Sequence, residues 1–285
     1  MICIDLDGTL LNSQGAINEA DLHAVQAAVD AGVRVMPCTG RSWCESRHVL
    51  HGFPFSPLSD TGVFVTGAAV SDLADGRTLD LCAMDPRLVL EVVEHLWDLP
   101  EAVLVCCDAN LAGHDYLITG RGQVTANTKW WFETTGVTVR HNSNPSLDDL
   151  RHTLRVGIVA AGPRMEQTSR RVRAAFGPRV AVHHFAAVQK PDPDQTVHIL
   201  EVFAAGVDKW RGLSWLAQKD GIAPEQIAAI GDELNDVAML SQSGCGIAMA
   251  NATQAAIHAA DRVTRSCDEG GVGHAIESLL AGRWV

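Results

Sequence analysis

The stretch Met1-Ile2-Cys3-Ile4-Asp5-Leu6-Asp7-Gly8-Thr9-Leu10-Leu11 decides the fold. Residues 1–6 form a short apolar run ending in acids, the pattern of a buried strand. On a strand, residues i and i+2 face the same way, so Asp5 and Asp7 are expected to emerge together. They would do so at the carboxyl end, where open α/β sheets bind their ligands. Two acids placed there can divide the work: one attacks an electrophile or grips a cation, and the other shuttles a proton to a leaving group. Gly8 permits a sharp turn, and Thr9 adds a hydroxyl. Asp, Gly and Thr also favour ordinary turns. Their position directly behind an apolar strand is what favours a site.

Outward from this motif, residues 18–31 read as a helix with Leu22, Val25 and Val29 on one face and Gly32 as its stop. Residues 33–38 are a second strand candidate and residues 62–69 a third, so strand, helix and strand recur at the spacing of a parallel βαβ unit. The same alternation is expected again from residue 198: a strand at 198–204, a helix at 208–219, a strand at 227–230, a helix at 234–241, a strand at 246–249 and two closing helices. Between these halves the texture changes. A helix at 86–98 carries Val89, Val92, Val93 and Leu96, strands are expected at 103–107, 154–161 and 180–185, and a second helix at 164–176. Residues 190–195, rich in proline and acids, read as a linker. The expected architecture is an α/β fold: a Rossmann-like parallel-sheet core formed by residues 1–78 and 198–285, with an α+β domain inserted at 79–197.

Composition limits what such a fold can do. The chain has 285 residues, 47% hydrophobic and 20% charged. That suits one large or two moderate domains with a real core and excludes long disorder. Its formal charge of −12, from 22 basic and 34 acidic side chains, argues against gripping nucleic acid, which needs a basic face. Eight cysteines without any C-x-x-C spacing read as reduced structural residues. Asp5 and Asp7 arrive before an apolar segment could form, so no signal segment is expected. No run approaches the roughly 20 apolar residues of a membrane span, and the expectation is a cytoplasmic protein without membrane partners.

Three further clusters carry chemistry. Gly231-Asp232-Glu233-Leu234-Asn235-Asp236 follows an apolar run and opens a helix. It offers oxygen ligands for a hard cation and no thiolate or imidazole. Helix capping by acids is the competing account, and the pairing with Asp5 and Asp7 weighs against it. Thr39-Gly40-Arg41 ends the second strand candidate, where a hydroxyl and backbone N–H groups can cradle an anion. Lys209 is one of only four lysines. In a helix's first turn it opposes the dipole and adds little to that helix, so neutralising a transferring phosphoryl group explains it better than an indifferent surface position does. Trp130 and Trp131 read as one core and one half-exposed residue, and His183 and His184, as strand neighbours, face opposite ways.

A carboxylate pair, a hydroxyl, an ammonium and an acidic cation site, in that order, resemble the haloacid dehalogenase-like superfamily and its Cof-like phosphatase branch. The likeness is carried by residues 4–11, 39–41 and the tract from 230 to 276, which reads IGDELNDVAML, GIAMANATQAAIHAADRVT and DEGGVGHAI. It implies a Mg²⁺-dependent phosphatase acting through an aspartyl-phosphate on a small phosphorylated metabolite such as a sugar phosphate. Asp5 would be the nucleophile and Asp7 the general acid and then base. Mg²⁺ would be held by Asp5, the Asp7 main-chain carbonyl and Asp232, with Asp236 in or near the shell. Thr39, Gly40, Lys209 and Asn235 would hold the phosphoryl oxygens, and the insertion would be a C2-type cap that selects the substrate. Departures are Thr66-Gly67-Ala68 where the family often has Asn-Gly-Ala, Lys209-Trp210 for Lys-Gly, and Ala250 for a glycine before Asn251-Ala252. A phosphomutase of the same superfamily and a silent metabolite-binding regulator are the rival readings. The substrate and the oligomeric state are not legible.

Overall fold

The computed structural model describes residues 1–51, 53–54, 60–162, 164–188 and 193–284. The chain divides into two compact units, Met1–Asp80 with Asp208–Val285, and Leu81–Val207.

The first unit is built on a five-stranded sheet in the order Arg262–Val263, Cys245–Ala248, Ala228–Gly231, Ile2–Ile4, Val35–Pro37. Every pairing is parallel, with Ile4 opposite both Ile230 and Pro37. The strands are apolar runs because helices cover such a sheet on both faces. Chain order reverses at Ile2–Ile4, whose two neighbours come from opposite ends of the sequence. That crevice outside the carboxyl ends is where a doubly wound sheet takes a ligand.

The helix Glu19–Asp30 turns Asp21, Ala24, Val25 and Ala28 inward, one step round from the expected Leu22, Val25 and Val29 face. Buried Asp21 accepts a hydrogen bond from the Gly273 N–H at 2.6 Å, so this face reads a partner amide as well as apolar bulk. The expected third parallel strand at 62–69 is instead two antiparallel strands, Thr61–Phe64 and Ala69–Asp72. The turn between them holds Val65, Thr66 and Gly67 at positive φ, which no strand tolerates. Thr78–Leu81 adds a third strand to this small sheet.

The second unit carries a six-stranded sheet in the order Val180–Val188, Val197–Ala204, Thr153–Ala161, Val103–Cys107, Tyr116–Thr119, Val139–His141. Its pairings are antiparallel except the last, which the helix Ala126–Thr135 bridges. The helix Pro86–Leu96 starts with Asp85 as N-cap and Pro86 at its first position, and buries Val89, Val92, Val93 and Leu96. With Met165, Val172 and Phe176 of the helix Arg164–Phe176, these residues pack into one cluster with Val105, Leu117, Val156, Ile158 and Leu200.

Residues 198–204, expected to open the second half of the core, belong to this sheet. Leu200 and Val202 are wholly buried on its helix-covered face, and the strand lies between two antiparallel partners. A strand followed by a helix imitates a βα unit in sequence; only the pairing partner distinguishes the two cases. The boundaries therefore fall at 80/81 and 207/208 rather than 78/79 and 197/198. Of the expected linker, positions 190–192 lie outside the described residues, and Pro193–Gln195 is a 3₁₀ turn leading into the strand.

Where the chain leaves and rejoins the first unit, one residue meets both ends. The Arg211 backbone N–H is capped by the Asp208 carboxylate at 2.8 Å. Its guanidinium forms an ion pair with Asp80 at 2.5 Å and donates to the Gly67 carbonyl at 3.2 Å.

Candidate active site

Three of the four sequence motifs begin at or just beyond the carboxyl end of a strand of the parallel sheet, and the Lys209 motif opens a helix instead. Asp5 follows Ile2–Ile4, Thr39 follows Val35–Pro37, Asp232 follows Ala228–Gly231, and Lys209 is the first residue of the helix Lys209–Lys219.

At the centre lies Lys209, which is 0% exposed. Its Nζ donates to Asp5 Oδ1 at 2.5 Å and also to Asp236 Oδ1. The other Asp236 oxygen accepts the backbone N–H groups of Asp232 and Glu233, each at 2.9 Å. Asp232 in turn accepts from the Thr9 hydroxyl at 2.7 Å. Gly8 has φ +76°, and a Cβ there would meet Asp232 Oδ2 at 2.4 Å, so glycine is needed for both conformation and space. Asn251 braces the same loop: its Nδ2 donates to the Gly8 carbonyl at 2.8 Å, and its Oδ1 accepts from the Cys267 N–H at 2.8 Å.

One carboxylate oxygen from each of Asp5, Asp232 and Asp236 lies within 4.8 Å of the others. Three carboxylates against one ammonium leave negative charge in excess. Burial, and then Asp236, push the Asp5 carboxyl well above its usual range, and Lys209 offsets this only in part. Burial and Asp236 likewise raise Asp232 to about 7, against the Thr9 hydrogen bond. Burial works against the charge on Lys209, but Asp236 and Asp5 outweigh it and hold the ammonium protonated. A hard divalent cation fits this donor set: every ligand atom is oxygen, and the surplus charge is negative.

Asp7 stands apart from this cluster. The strand ends at Ile4, so the two-residue alternation does not reach Asp7. Asp5 turns inward to Lys209, whereas Asp7 turns outward, its side chain 58% exposed and paired with Arg41. Thr39 is buried, and its hydroxyl accepts from the Arg41 N–H at 3.1 Å. Gly40 lies against Asn235, where a Cβ would come within 3.3 Å of Nδ2. Asp5, Lys209, Asp232 and Asp236 thus cluster, and Gly40, next to Thr39 in the chain, lies against Asn235.

Several expectations change. Lys209 is buried between two acids, so it is neither an indifferent surface lysine nor a minor contributor to folding. Trp130 is 61% exposed and Trp131 half-buried, so neither is a core residue. His183 packs against Phe203 and His184 stacks on His198, consistent with their opposite facing. Arg41, Thr66 and Asn251 lie in or beside the sequence motifs, but their contacts emerge only in the fold. Arg41 directly after Thr-Gly was a usable signal; the bracing role of Asn251 and the conformation of Thr66 are set by distant partners.

A family model described as haloacid dehalogenase-like hydrolase matches residues 2–276. The 5-amino-6-(5-phospho-D-ribitylamino)uracil phosphatase YwtE of Bacillus subtilis is 27% identical over 300 residues, covering 100% of this chain and 99% of that protein. Phosphoglycolate phosphatase of Pyrobaculum neutrophilum is 26% identical over 285 residues, covering 99% and 96%. Among solved structures, a haloacid dehalogenase-like hydrolase from Bacteroides thetaiotaomicron superposes with a TM-score of 0.77 at 22% identity, covering 98% of each chain. The HAD subclass IIB sugar phosphatase BT4131 gives 0.78 at 19% identity, also over 98% of each. At these identities the structural likeness speaks for the fold. Among the described residues, no helix is long and apolar enough to cross a membrane.

Proposed function

This chain belongs to the haloacid dehalogenase-like hydrolase family, and from that premise we propose that it is a Mg²⁺-dependent phosphatase of a small phosphorylated metabolite. The observation that carries the reading is the buried Lys209 ammonium on Asp5 and Asp236, with Asp232 in the same oxygen cluster. A nucleophilic carboxylate, a fixed cation and a divalent-ion donor set are the parts that phosphoryl transfer needs.

In this mechanism a free Asp5 oxygen attacks phosphorus while the ester oxygen departs, giving an aspartyl-phosphate. Asp7 gives the leaving oxygen its proton, then takes one from the water that attacks the intermediate and frees inorganic phosphate. Lys209, Asn235, Thr39 and Gly40 hold the phosphoryl oxygens. Asp5, Asp232, the Asp7 main-chain carbonyl and Asp236 would hold Mg²⁺, which when bound supplies neutralisation of charge on the transferring group. The inserted unit is assigned the part of a C2-type cap that selects the substrate.

The named relatives act on a phosphorylated ribitylaminouracil and on phosphoglycolate, both small phosphomonoesters; a sugar phosphate is the class we favour here. A cytoplasmic location accompanies this reading, and all eight cysteines carry free thiols. The test is phosphate release from a panel of phosphorylated metabolites with Mg²⁺. Release from at least one, lost in Asp5→Asn, supports the proposal. An isomerised sugar phosphate without free phosphate would favour the mutase, and binding without turnover the silent regulator.

A further inference from the structure

The turn at Val65–Gly67 spends conformational energy beside the candidate site. Thr66 sits at φ 57°, ψ 32°, and Val65 at φ 48°, a left-handed region that β-branched residues rarely occupy. Such strain persists only where the surroundings over-determine it. Here they do. The Val65 N–H donates to the Arg41 carbonyl at 2.9 Å, and the Thr66 N–H to the Thr39 carbonyl at 3.0 Å. Gly67 has φ +89°, and a Cβ on it would lie 1.9 Å from the Asp208 carbonyl oxygen. The turn is therefore pinned to the Thr39–Arg41 loop on one side and to the start of the Lys209 helix on the other.

What this arrangement delivers is one hydroxyl. Thr66 is 0% exposed, and its Oγ1 has no hydrogen-bond partner. Buried hydroxyls without partners are costly and uncommon. A second orphan lies close by: Asn235 Oδ1 is also buried and unpartnered. The two side chains flank the same α-carbon, since a Cβ at Gly40 would sit 3.5 Å from Thr66 Oγ1 and 3.3 Å from Asn235 Nδ2. One orphan is a hydroxyl able to donate, and the other can only accept.

We propose that Thr66 is a positioning residue for Asn235, its hydroxyl donating to Oδ1 when a phosphoryl group is bound. An amide beside a phosphoryl oxygen must present its NH₂ and turn its own oxygen away. In this structure the NH₂ end of Asn235 borders the gap beside the Thr66 hydroxyl, so binding must turn the amide over, and the donor then holds Oδ1 in that orientation. Gly40 leaves a gap that both side chains border, and the strained turn holds the hydroxyl there. The inference rests on Asn235 binding phosphoryl oxygens, as proposed above.

The test uses Thr66→Val, which keeps the shape and removes the hydroxyl, Thr66→Ser, which keeps the hydroxyl, and each change in an Asn235→Ala background. Turnover of p-nitrophenyl phosphate and the affinity for inorganic phosphate in Mg²⁺ are measured, with melting temperature as the control. Thr66→Val should weaken phosphate binding and lower kcat/KM by about 3–10-fold, the worth of one neutral hydrogen bond. Its melting temperature should hold or rise, because the hydroxyl has no partner to lose. Thr66→Ser should restore both readings, and Thr66→Val should add nothing once Asn235 is alanine. If Asn235→Ala weakens phosphate binding while Thr66→Val does not, or if the Thr66→Val loss survives intact in the Asn235→Ala background, the positioning role falls and the phosphate-site reading stands. If Asn235→Ala itself leaves phosphate binding unchanged, both fall.

Discussion

Arg41 holds Asp7 by both carboxylate oxygens, its Nε donating to Oδ2 at 2.7 Å and its Nη2 to Oδ1. Such a two-point grip fixes the carboxylate plane as a single contact cannot. The exposed Asp7 side chain would otherwise sample several rotamers. Arg41→Ala should therefore lower kcat by about tenfold or more through lost orientation. Because proton delivery matters most for poor leaving groups, an alkyl phosphate should suffer more than p-nitrophenyl phosphate. Equal losses on both would separate Arg41 from the action of Asp7.

Asp5→Asn should abolish turnover and the hydroxylamine-sensitive phosphoryl label expected of an aspartyl-phosphate. It should not weaken the fold. The Asp5 carboxyl is already pushed well above its usual range by burial and by Asp236, so the amide relieves a crowded set of negative charges. Loss of activity with an unchanged or higher melting temperature is the expected pair. A variant turning over near the wild-type rate would falsify the covalent reading.

Lys209→Ala should damage both turnover and stability. Removing the ammonium strands Asp5 and Asp236 in the interior, and breaking a buried pair in this way costs about 3–5 kcal/mol. The double variant Lys209→Met with Asp5→Asn should recover part of that stability and none of the activity. Denaturant unfolding distinguishes the outcomes; a Lys209→Ala protein as stable as wild type would contradict the charge arrangement.

Metal dependence and pH should be linked. Excess EDTA should abolish activity, and Mg²⁺ should restore it. The Asp232 carboxyl is raised from 3.8 to about 7, so between those values the folded, metal-free protein holds a proton that the unfolded chain releases. Its stability contribution is therefore present at low pH and is lost as pH rises through about 7. Mg²⁺ needs the ionised group, so its apparent affinity should weaken as pH falls below about 7. Thermal melts with and without Mg²⁺ should show a larger metal-induced gain at about pH 8 than at about pH 5.5. A gain independent of pH would contradict this account.

Much of the site was legible because strand ends announce themselves. Asp5 and Asp232 follow short apolar runs, and Thr39 precedes a helix that opens with a capping box at Ser42. What the spacing could not convey was burial. Lys209 looks like any first-turn lysine until two acids, 204 and 27 residues away, close on it. The strand Val197–Ala204 joins a different sheet from the one its sequence pattern suggests for a related reason. Its pattern specifies a strand with a helix after it, whereas the choice of partner depends on residues 153–161 and 180–188. In sequence, Thr66 is simply a departure from Asn-Gly-Ala. Its left-handed backbone comes from hydrogen bonds to a loop some 25 residues earlier, a tertiary constraint overriding local preference.

Asp80 and Asp208 mark the cut edges of the first unit's chain, and both meet Arg211. The core thus closes its own wound with its own residues. Excising 81–207 and splicing the edges with a few glycines and serines would ask little of the remainder, since a short flexible bridge between ends already held near one residue adds only a small loop entropy. The length of the insert is thereby decoupled from the first unit, whose two ends are tied by Arg211 whatever lies between them.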